Sequence, residues 1–262
     1  MNDKLRQILV ISTLSMTLVV NALANILPIN GFTTGELSDG FAILFVPAGY
    51  VFSIWAVIYS GLIAYVVFQT LSAQRDNPRL KNIAPWFIAS SFFNSGWIFA
   101  WHYQQVGLSL VLMLGILLSL IMIYQKLGIG LSRVNRAETL TTRLPFSIYL
   151  GWITVATVAN VSTYLYKLNW NAFNLSSSFW AITLLLIATG IGLTILNTRR
   201  DIAYASVLMW AFAGITLKHW TAQGFALTAV VMTIILGFAI VLLFVRRQPE
   251  LTTNRARLLA KP

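Results

Sequence analysis

The sequence contains no cysteine and only two histidines, His102 and His219. The absence of thiols excludes disulfide bonds, a cysteine nucleophile and iron–sulfur ligation. Two histidines are too few for a histidine-rich metal site. No nucleophile–base pair, phosphate-binding loop or metal-ligand spacing is present, and Gly128-Ile129-Gly130 is typical of a helix end rather than a nucleotide fingerprint. We therefore expect a protein that is not an enzyme and that requires no cofactor.

Charged residues are also scarce, at 10% of the 262 residues, whereas soluble domains carry about 25%. Hydrophobic residues make up 58% of the chain, and the mean hydropathy is +0.76. This polar surface is too small to cover so many apolar side chains in water, so lipid must surround them. The sequence predicts an integral, multi-pass membrane protein, placed in the plasma membrane if the protein is bacterial.

Apolar stretches of the length of a transmembrane helix, about 20 residues, occur eight times. They predict an all-α, polytopic membrane bundle of eight helices, of which the sixth and seventh are the shortest. The approximate spans are Ile8–Leu27, Pro47–Leu71, Ile83–Tyr103, Leu108–Leu127, Leu144–Tyr166, Phe179–Leu196, Ile202–Leu217 and Phe225–Val245.

The net charge of +11 reflects topology and does not indicate nucleic-acid binding, because the basic residues lie between apolar runs rather than on one face. If the amino terminus is cytoplasmic, only Lys167 and Lys218 of the 18 basic residues fall outside. The positive-inside rule therefore predicts cytoplasmic amino and carboxyl termini.

Ala22-Leu23-Ala24 also resembles a signal-peptidase site, and cleavage there would leave seven spans. A retained helix is favoured because the apolar run reaches Leu27.

Acidic residues are few, and all seven fall in loops, in tails or at a span edge. Ion-coupled pumps usually need a carboxylate at depth. The pattern thus argues against a proton- or cation-driven carrier and leaves a facilitator of an apolar solute open.

His102 and His219 fall at the outer span edges, where an interfacial position is favoured over axial haem ligation.

Aromatic residues and asparagines recur at spacings of three and four in three spans, so each set occupies one helix face. The predicted topology puts most of them in the outer half of the membrane, below the long loop Pro28–Val46, as it does Asn21 and Asn25 of the first span. One interpretation is an aromatic-walled ligand cavity with the loop as its lid. The other is that the aromatic residues are interface anchors, the asparagines form interhelical hydrogen bonds, and the loop is a plain linker. The role of a simple anchor at the membrane interface is the alternative interpretation for five tryptophans: Trp86, Trp101, Trp170, Trp180 and Trp220. The face residues are Phe52, Trp55 and Tyr59; Asn94, Trp97 and Trp101; and Tyr149, Trp152, Ala156 and Asn160.

Three motifs, in order, resemble the TspO/MBR family of tryptophan-rich sensory (translocator-protein-like) proteins. Residues 47–59 read PAGYVFSIWAVIY, Asn94 precedes Trp97 by three residues, and Leu144-Pro145 is followed by Tyr149, Trp152, Ala156 and Asn160. The chain departs from the family pattern at Ala48 and Tyr50, and its first loop has no tryptophan. The resemblance covers a five-helix domain, residues 1–166. It leaves three additional spans, 167–245, and a basic cytoplasmic tail, 246–262.

The resemblance implies binding of a planar hydrophobic ligand, such as a porphyrin or haem, under the first loop. A sterol has less support, since the cholesterol-contact pattern at 161–167 is equally explained by a Tyr-Lys anchor. Expected partners are membrane lipid and a hydrophobic small molecule, and a homodimer is left open. The expected ligand-binding residues are Phe52, Trp55, Tyr59, Asn94, Trp97, Trp101, Tyr149, Trp152 and Asn160.

Two alternatives to a sensory or binding protein remain at this point. One is a facilitative transporter of a small apolar or amphipathic solute, with a pathway completed by the three additional helices. The other is light-dependent porphyrin breakdown, an activity of some family members, which the missing loop tryptophans disfavour.

Overall fold

The computed structural model describes residues 3–170 and 172–259, with side chains for residues 3–170 and 173–245. The described residues form helices and connecting turns, without a β-strand. The α-helices are α1 (Asp3–Ile26), α2 (Thr34–Asp39), α3 (Ile54–Thr70), α4 (Pro78–His102), α5 (Val106–Lys126), α6 (Arg136–Glu138), α7 (Leu144–Lys167), α8 (Ser177–Arg199), α9 (Ile202–Lys218) and α10 (Gln223–Leu259).

Each of the eight predicted spans contains one long helix, and α2 and α6 are short helices within connections. Six helical stretches of the described chain are long and apolar enough to cross a membrane, which confirms a multi-pass helical membrane protein. Of the other two long helices, α9 has only 17 residues, and α4 carries several serines and two asparagines. The count of eight crossings and the sidedness of the termini remain predictions.

Local sequence fixes the ends of several helices. Asn77, Ser176 and Asp201 precede α4, α8 and α9, and each side chain accepts a hydrogen bond from a backbone N–H of the first turn. Such caps satisfy donors that have no partner within the helix. Arg200 ends α8 in a left-handed conformation, with φ of 53°, and so turns the chain directly into α9.

Helix α7 lies at the centre of the bundle, packed against α3, α5 and α9. The last three helices pack on one another and are attached to the first half mainly through α9 and α7. At Gly151 of α7, an added Cβ would lie 3.1 Å from the backbone oxygen of Tyr204 in α9. The absence of a side chain there lets the two backbones approach closely, as small residues do in membrane bundles.

The first helix is an integral part of this bundle. Helix α1 packs against α3 and α4, and Asn21 Nδ2 donates to Asn94 Oδ1 of α4 at 2.8 Å. Asn25 lies one turn further on and is exposed. Retention or cleavage of this helix stays a prediction from the sequence.

Two carboxylates that the sequence assigns to a loop or a span edge are in fact buried. Glu138, in α6, is 2% exposed and forms a two-pronged ion pair with Arg79 of α4, at 2.5 and 2.8 Å. Asp201 is 7% exposed, and its Oδ2 accepts hydrogen bonds from Tyr124 at 2.9 Å and Ser147 at 2.6 Å. Burial is tolerated because each carboxylate is paired or hydrogen bonded.

The backbone of α10 continues beyond the predicted span end at Val245 to Leu259. The first part of the predicted basic tail, 246–262, is therefore helical in its backbone. Residues 260–262 lie outside the described residues.

Candidate functional site

A small cavity lies between α3, α4, α5 and α7, beneath α2. Its volume is about 50 Å³. Six of the nine predicted ligand-binding residues line it: Phe52, Trp55, Trp97, Trp101, Trp152 and Asn160. The structure therefore brings these six side chains together around one space, and the three remaining residues have other positions.

The aromatic rings that line the cavity are held in fixed mutual orientations. Trp97 and Trp101, one helical turn apart on α4, stack with ring centroids 5.6 Å apart and planes inclined by 17°. Across the cavity, Trp152 meets Phe52 and Trp55 edge to face, at 5.7 and 6.2 Å. Such offset and T-shaped contacts are favourable for aromatic quadrupoles. The resulting wall presents flat apolar surfaces from three helices.

Tyr59, Asn94 and Tyr149 do not line the cavity and instead support its wall. Tyr59 stacks on Trp55 at 5.2 Å, and Tyr149 meets the same ring edge to face at 5.9 Å. Asn94, 1% exposed, receives a hydrogen bond from Asn21 and donates one to the Tyr149 hydroxyl at 3.0 Å. Their positions fix the Trp55 ring and join α1, α4 and α7.

Asn160 is buried, as the sequence predicts, and forms the polar edge of the cavity. Its Oδ1 accepts from the Trp97 indole at 3.3 Å, and its Nδ2 donates to the Ser109 hydroxyl at 3.0 Å. One amide therefore joins α4, α5 and α7 while one edge of it lines the cavity.

One cavity-lining donor has no protein partner. The indole nitrogen of Trp152 is buried and has no acceptor among the described residues, and the same is true of the Tyr59 hydroxyl behind the wall. A buried donor without a partner costs about 1–3 kcal/mol. An acceptor that reached Trp152 would remove that cost.

Residues Pro28–Val46, hereafter the cover, close the cavity from the predicted outer side. Within the cover, Thr33 and Glu36 form a capping box that starts α2, and the Thr33 N–H lowers the pKa of the Glu36 carboxyl. Thr34 and Ser38 of α2 line the cavity. The ring of Phe41 lies 5.8 Å from that of Trp101. The sequence alone did not decide whether this segment is a lid or a plain linker. The structure shows that it is a folded cover over the cavity.

His102, the last residue of α4, fixes the cover to this helix and is 0% exposed, so its ring is buried in the protein. Its Nδ1 lies 3.0 Å from the Ile29 carbonyl, which can only accept, so Nδ1 is the donor. In the neutral ring, Nε2 then accepts from the Thr34 hydroxyl at 3.0 Å. Trp101 adds a hydrogen bond from its indole to the Thr34 carbonyl at 3.3 Å.

Helix α9 holds the other end of the cover and the segment that follows it. Lys218 forms an ion pair with Asp39, and His219 Nε2 lies 3.1 Å from the Val46 carbonyl. Partial burial lowers the pKa of His219. The Ala48 N–H donates to the Gly214 carbonyl at 3.2 Å. Helix α9 therefore contacts the cover and the segment after it, while none of the described residues that line the cavity belongs to α9.

Sequence reasoning missed several residues of the cavity. They are Thr34 and Ser38 of the cover, Pro47, Met113 of α5, and Val155, Ala159 and Thr163 of α7. Helical spacing from Trp152 and Asn160 could have indicated the α7 residues, while Met113 carries no such signal. Trp101 is 6% exposed and so belongs to the wall, whereas Trp220, at 67%, is exposed as an anchor would be.

No histidine nitrogen in the site is available to a metal. Both ring nitrogens of His102 have protein partners, and no group of three or more metal-binding side chains occurs among the described residues. The site can offer aromatic stacking, apolar contact, an amide edge and one unpaired indole donor.

Comparison with known proteins identifies the family. A family model described as TSPO-like protein matches residues 7–245. The match continues through the last three helices, which the sequence motifs alone did not cover. No curated protein and no solved structure matches the chain. The chain, a multi-pass membrane protein with an aromatic cavity under a folded cover, belongs to the TSPO-like protein family.

Proposed function

We propose that this TSPO-like membrane protein is a sensory or binding protein that holds a planar hydrophobic molecule, a tetrapyrrole such as a porphyrin, in the cavity beneath the cover. The observation that carries the proposal is the wall itself, in which four tryptophans from α3, α4 and α7 and a phenylalanine just before α3 line one space. Apolar and aromatic linings with a few placed polar groups are characteristic of small-molecule sites.

The cavity must enlarge to admit such a ligand. Its volume of about 50 Å³ is far below the roughly 300–1,000 Å³ of typical ligand sites. In this proposal the cover is the element that moves, because hydrogen bonds, an ion pair and a ring contact, and not a continuous helix, hold it over the cavity. A shift of the Trp152 ring during opening would also let its unpaired N–H reach an acceptor on the ligand.

The proposed ligand is held by stacking and not by an iron bond, since His102 is already engaged on both ring nitrogens. Metal-free protoporphyrin and its iron complex are therefore expected to bind with similar affinity. Absorption spectra of the bound iron complex are expected to lack the signature of histidine ligation. A strong preference for the iron complex would contradict this part of the proposal.

Replacement of one wall ring tests the site. Stacking on an aromatic side chain is worth about 1–3 kcal/mol per ring in nucleic-acid complexes, so Trp55→Ala is expected to weaken porphyrin binding roughly 5- to 100-fold. The control is Trp180→Ala, which removes a tryptophan outside the cavity and is expected to leave binding nearly unchanged. Quenching of tryptophan fluorescence by added porphyrin measures both.

The control matters because porphyrins adsorb to lipid and detergent, and adsorption would affect both variants alike. Equal effects of the two substitutions would assign the aromatic face to helix packing. Loss of the porphyrin itself under illumination would show an enzyme, and flux of the ligand across proteoliposomes would show a transporter. The proposed binding protein is expected to show neither.

A further inference from the structure

A second concave site lies at the opposite end of the bundle, between α5, α7, α8 and α9. Its volume is about 320 Å³, within the range of ligand sites and larger than the cavity beneath the cover. One part of its wall is aliphatic, formed by residues such as Leu117, Leu150 and Ile195. The other part carries Tyr124, Gln125 and Arg199. The site thus combines an apolar groove with a polar, cationic end.

Arg199 is positioned at this end without a carboxylate partner. The guanidinium carbon lies 5.8 Å from the centroid of the Tyr124 ring, and Nη1 makes one long hydrogen bond, 3.4 Å, to the Ile129 carbonyl. No ion pair of Arg199 occurs among the side chains that the structure describes. Most of its five donors therefore remain available to an anion.

The nearby carboxylate of Asp201 forms no ion pair with this cation among the described side chains. Both oxygens of Asp201 are engaged, Oδ2 by the Tyr124 and Ser147 hydroxyls and Oδ1 by the Tyr204 N–H. Lys126 and Arg200, at the same ends of α5 and α8, are exposed and add positive charge. This end is also the one that the basic residues predict to be cytoplasmic, where anionic lipids are concentrated.

We propose that this groove binds an anionic phospholipid, with an acyl chain along the aliphatic wall and the phosphate at Arg199. Basic pockets between transmembrane helices on the cytoplasmic side are known to hold acidic headgroups. A lipid satisfies both parts of the site at once, because its chain requires the apolar groove and its charge requires the arginine. The proposal is independent of the ligand bound beneath the cover.

The test uses the full-length protein in detergent with short-chain phosphatidylglycerol or phosphatidylcholine of the same chain length, measured by native mass spectrometry. Phosphatidylglycerol is expected to bind the unaltered protein more tightly. Arg199→Gln is expected to reduce that preference about five- to tenfold, the effect of one nearby cation. The matched control Arg200→Gln removes the same charge from an exposed neighbour that does not line the groove, and it is expected to change little.

Two further measurements separate the sources of binding. Ile195→Trp fills the groove and is expected to weaken binding of both lipids while leaving Arg199 in place. Glycerol phosphate, which has the anion without the chains, is expected not to displace bound phosphatidylglycerol at equal concentration. Equal losses in Arg199→Gln and Arg200→Gln would reduce the effect to general surface charge and overturn the proposal. So would full displacement by glycerol phosphate, or an Ile195→Trp variant that binds lipid normally.

Discussion

Asn94 shows how a single polar residue inside a membrane bundle can join three helices. The family motif makes it a candidate ligand contact, and the structure places it between Asn21 of α1 and Tyr149 of α7. An amide in hydrocarbon needs partners, and here both its donor and its acceptor are used within the protein. The effect on the site is indirect, through Tyr149, which contacts the Trp55 ring.

Asn94→Ala is expected to destabilise the protein by about 1–2 kcal/mol. The change removes two interhelical hydrogen bonds, each worth about 0.6 kcal/mol on average in membrane proteins and at most about 1.7. The control is Asn25→Ala, at an exposed asparagine that bonds only within its own helix. Reversible denaturation in mixed micelles measures both variants. Equal stability losses would mean that the Asn21–Asn94–Tyr149 chain is not an interhelical link.

The cover closes the site, and contacts from both halves of the chain hold it in place. Its first part is bound to α4 through His102 and Trp101. Its last part is bound to α9 through Lys218 and His219. The C-terminal helices therefore have a definable structural role in this family member, because α9 holds the cover and the segment after it over the cavity.

Gly214→Ala tests this role of α9. An added Cβ would lie 2.1 Å from Val51 Cγ2, so the segment that joins the cover to α3 must move away. We expect a loss of about 1–3 kcal/mol in stability, the usual cost of overpacking, together with altered porphyrin binding. Gly224→Ala is the control, because nothing lies within 4 Å of its added Cβ. Unaltered stability and binding in Gly214→Ala would show that this contact is dispensable.

At the scale of the whole molecule, composition and periodicity predict the helices well and the connections poorly. A span must satisfy its backbone polar groups internally, so each long apolar stretch is expected to form a helix. Helical spacing then determines which aromatic residues share a face. The cover instead depends on partners that are distant in sequence, such as Lys218 for Asp39, 179 residues away. The burial of His102 and Glu138 was missed for the same reason, since their partners lie on other elements.

The eight-span topology, with both termini cytoplasmic, is a prediction for the whole chain. It rests on the basic residues, of which only Lys167 and Lys218 fall in the outside segments. Reporter fusions after Pro262 and within Leu175–Ser178 are expected to show opposite sidedness. The same side for both would contradict eight spans, and an inverted result would exchange the membrane faces of the cover and the Arg199 groove.

The fastening of the cover to α9 also has a consequence during synthesis. Val46 meets His219, which follows it by 173 residues. A ribosome that adds about 5–20 residues per second takes roughly 9–35 s to travel from one to the other. Throughout that interval the tryptophans of α3, α4 and α7 enter the bilayer without a complete cover. The contact of the cover with α9 therefore forms only after the whole aromatic wall of the site has been synthesised.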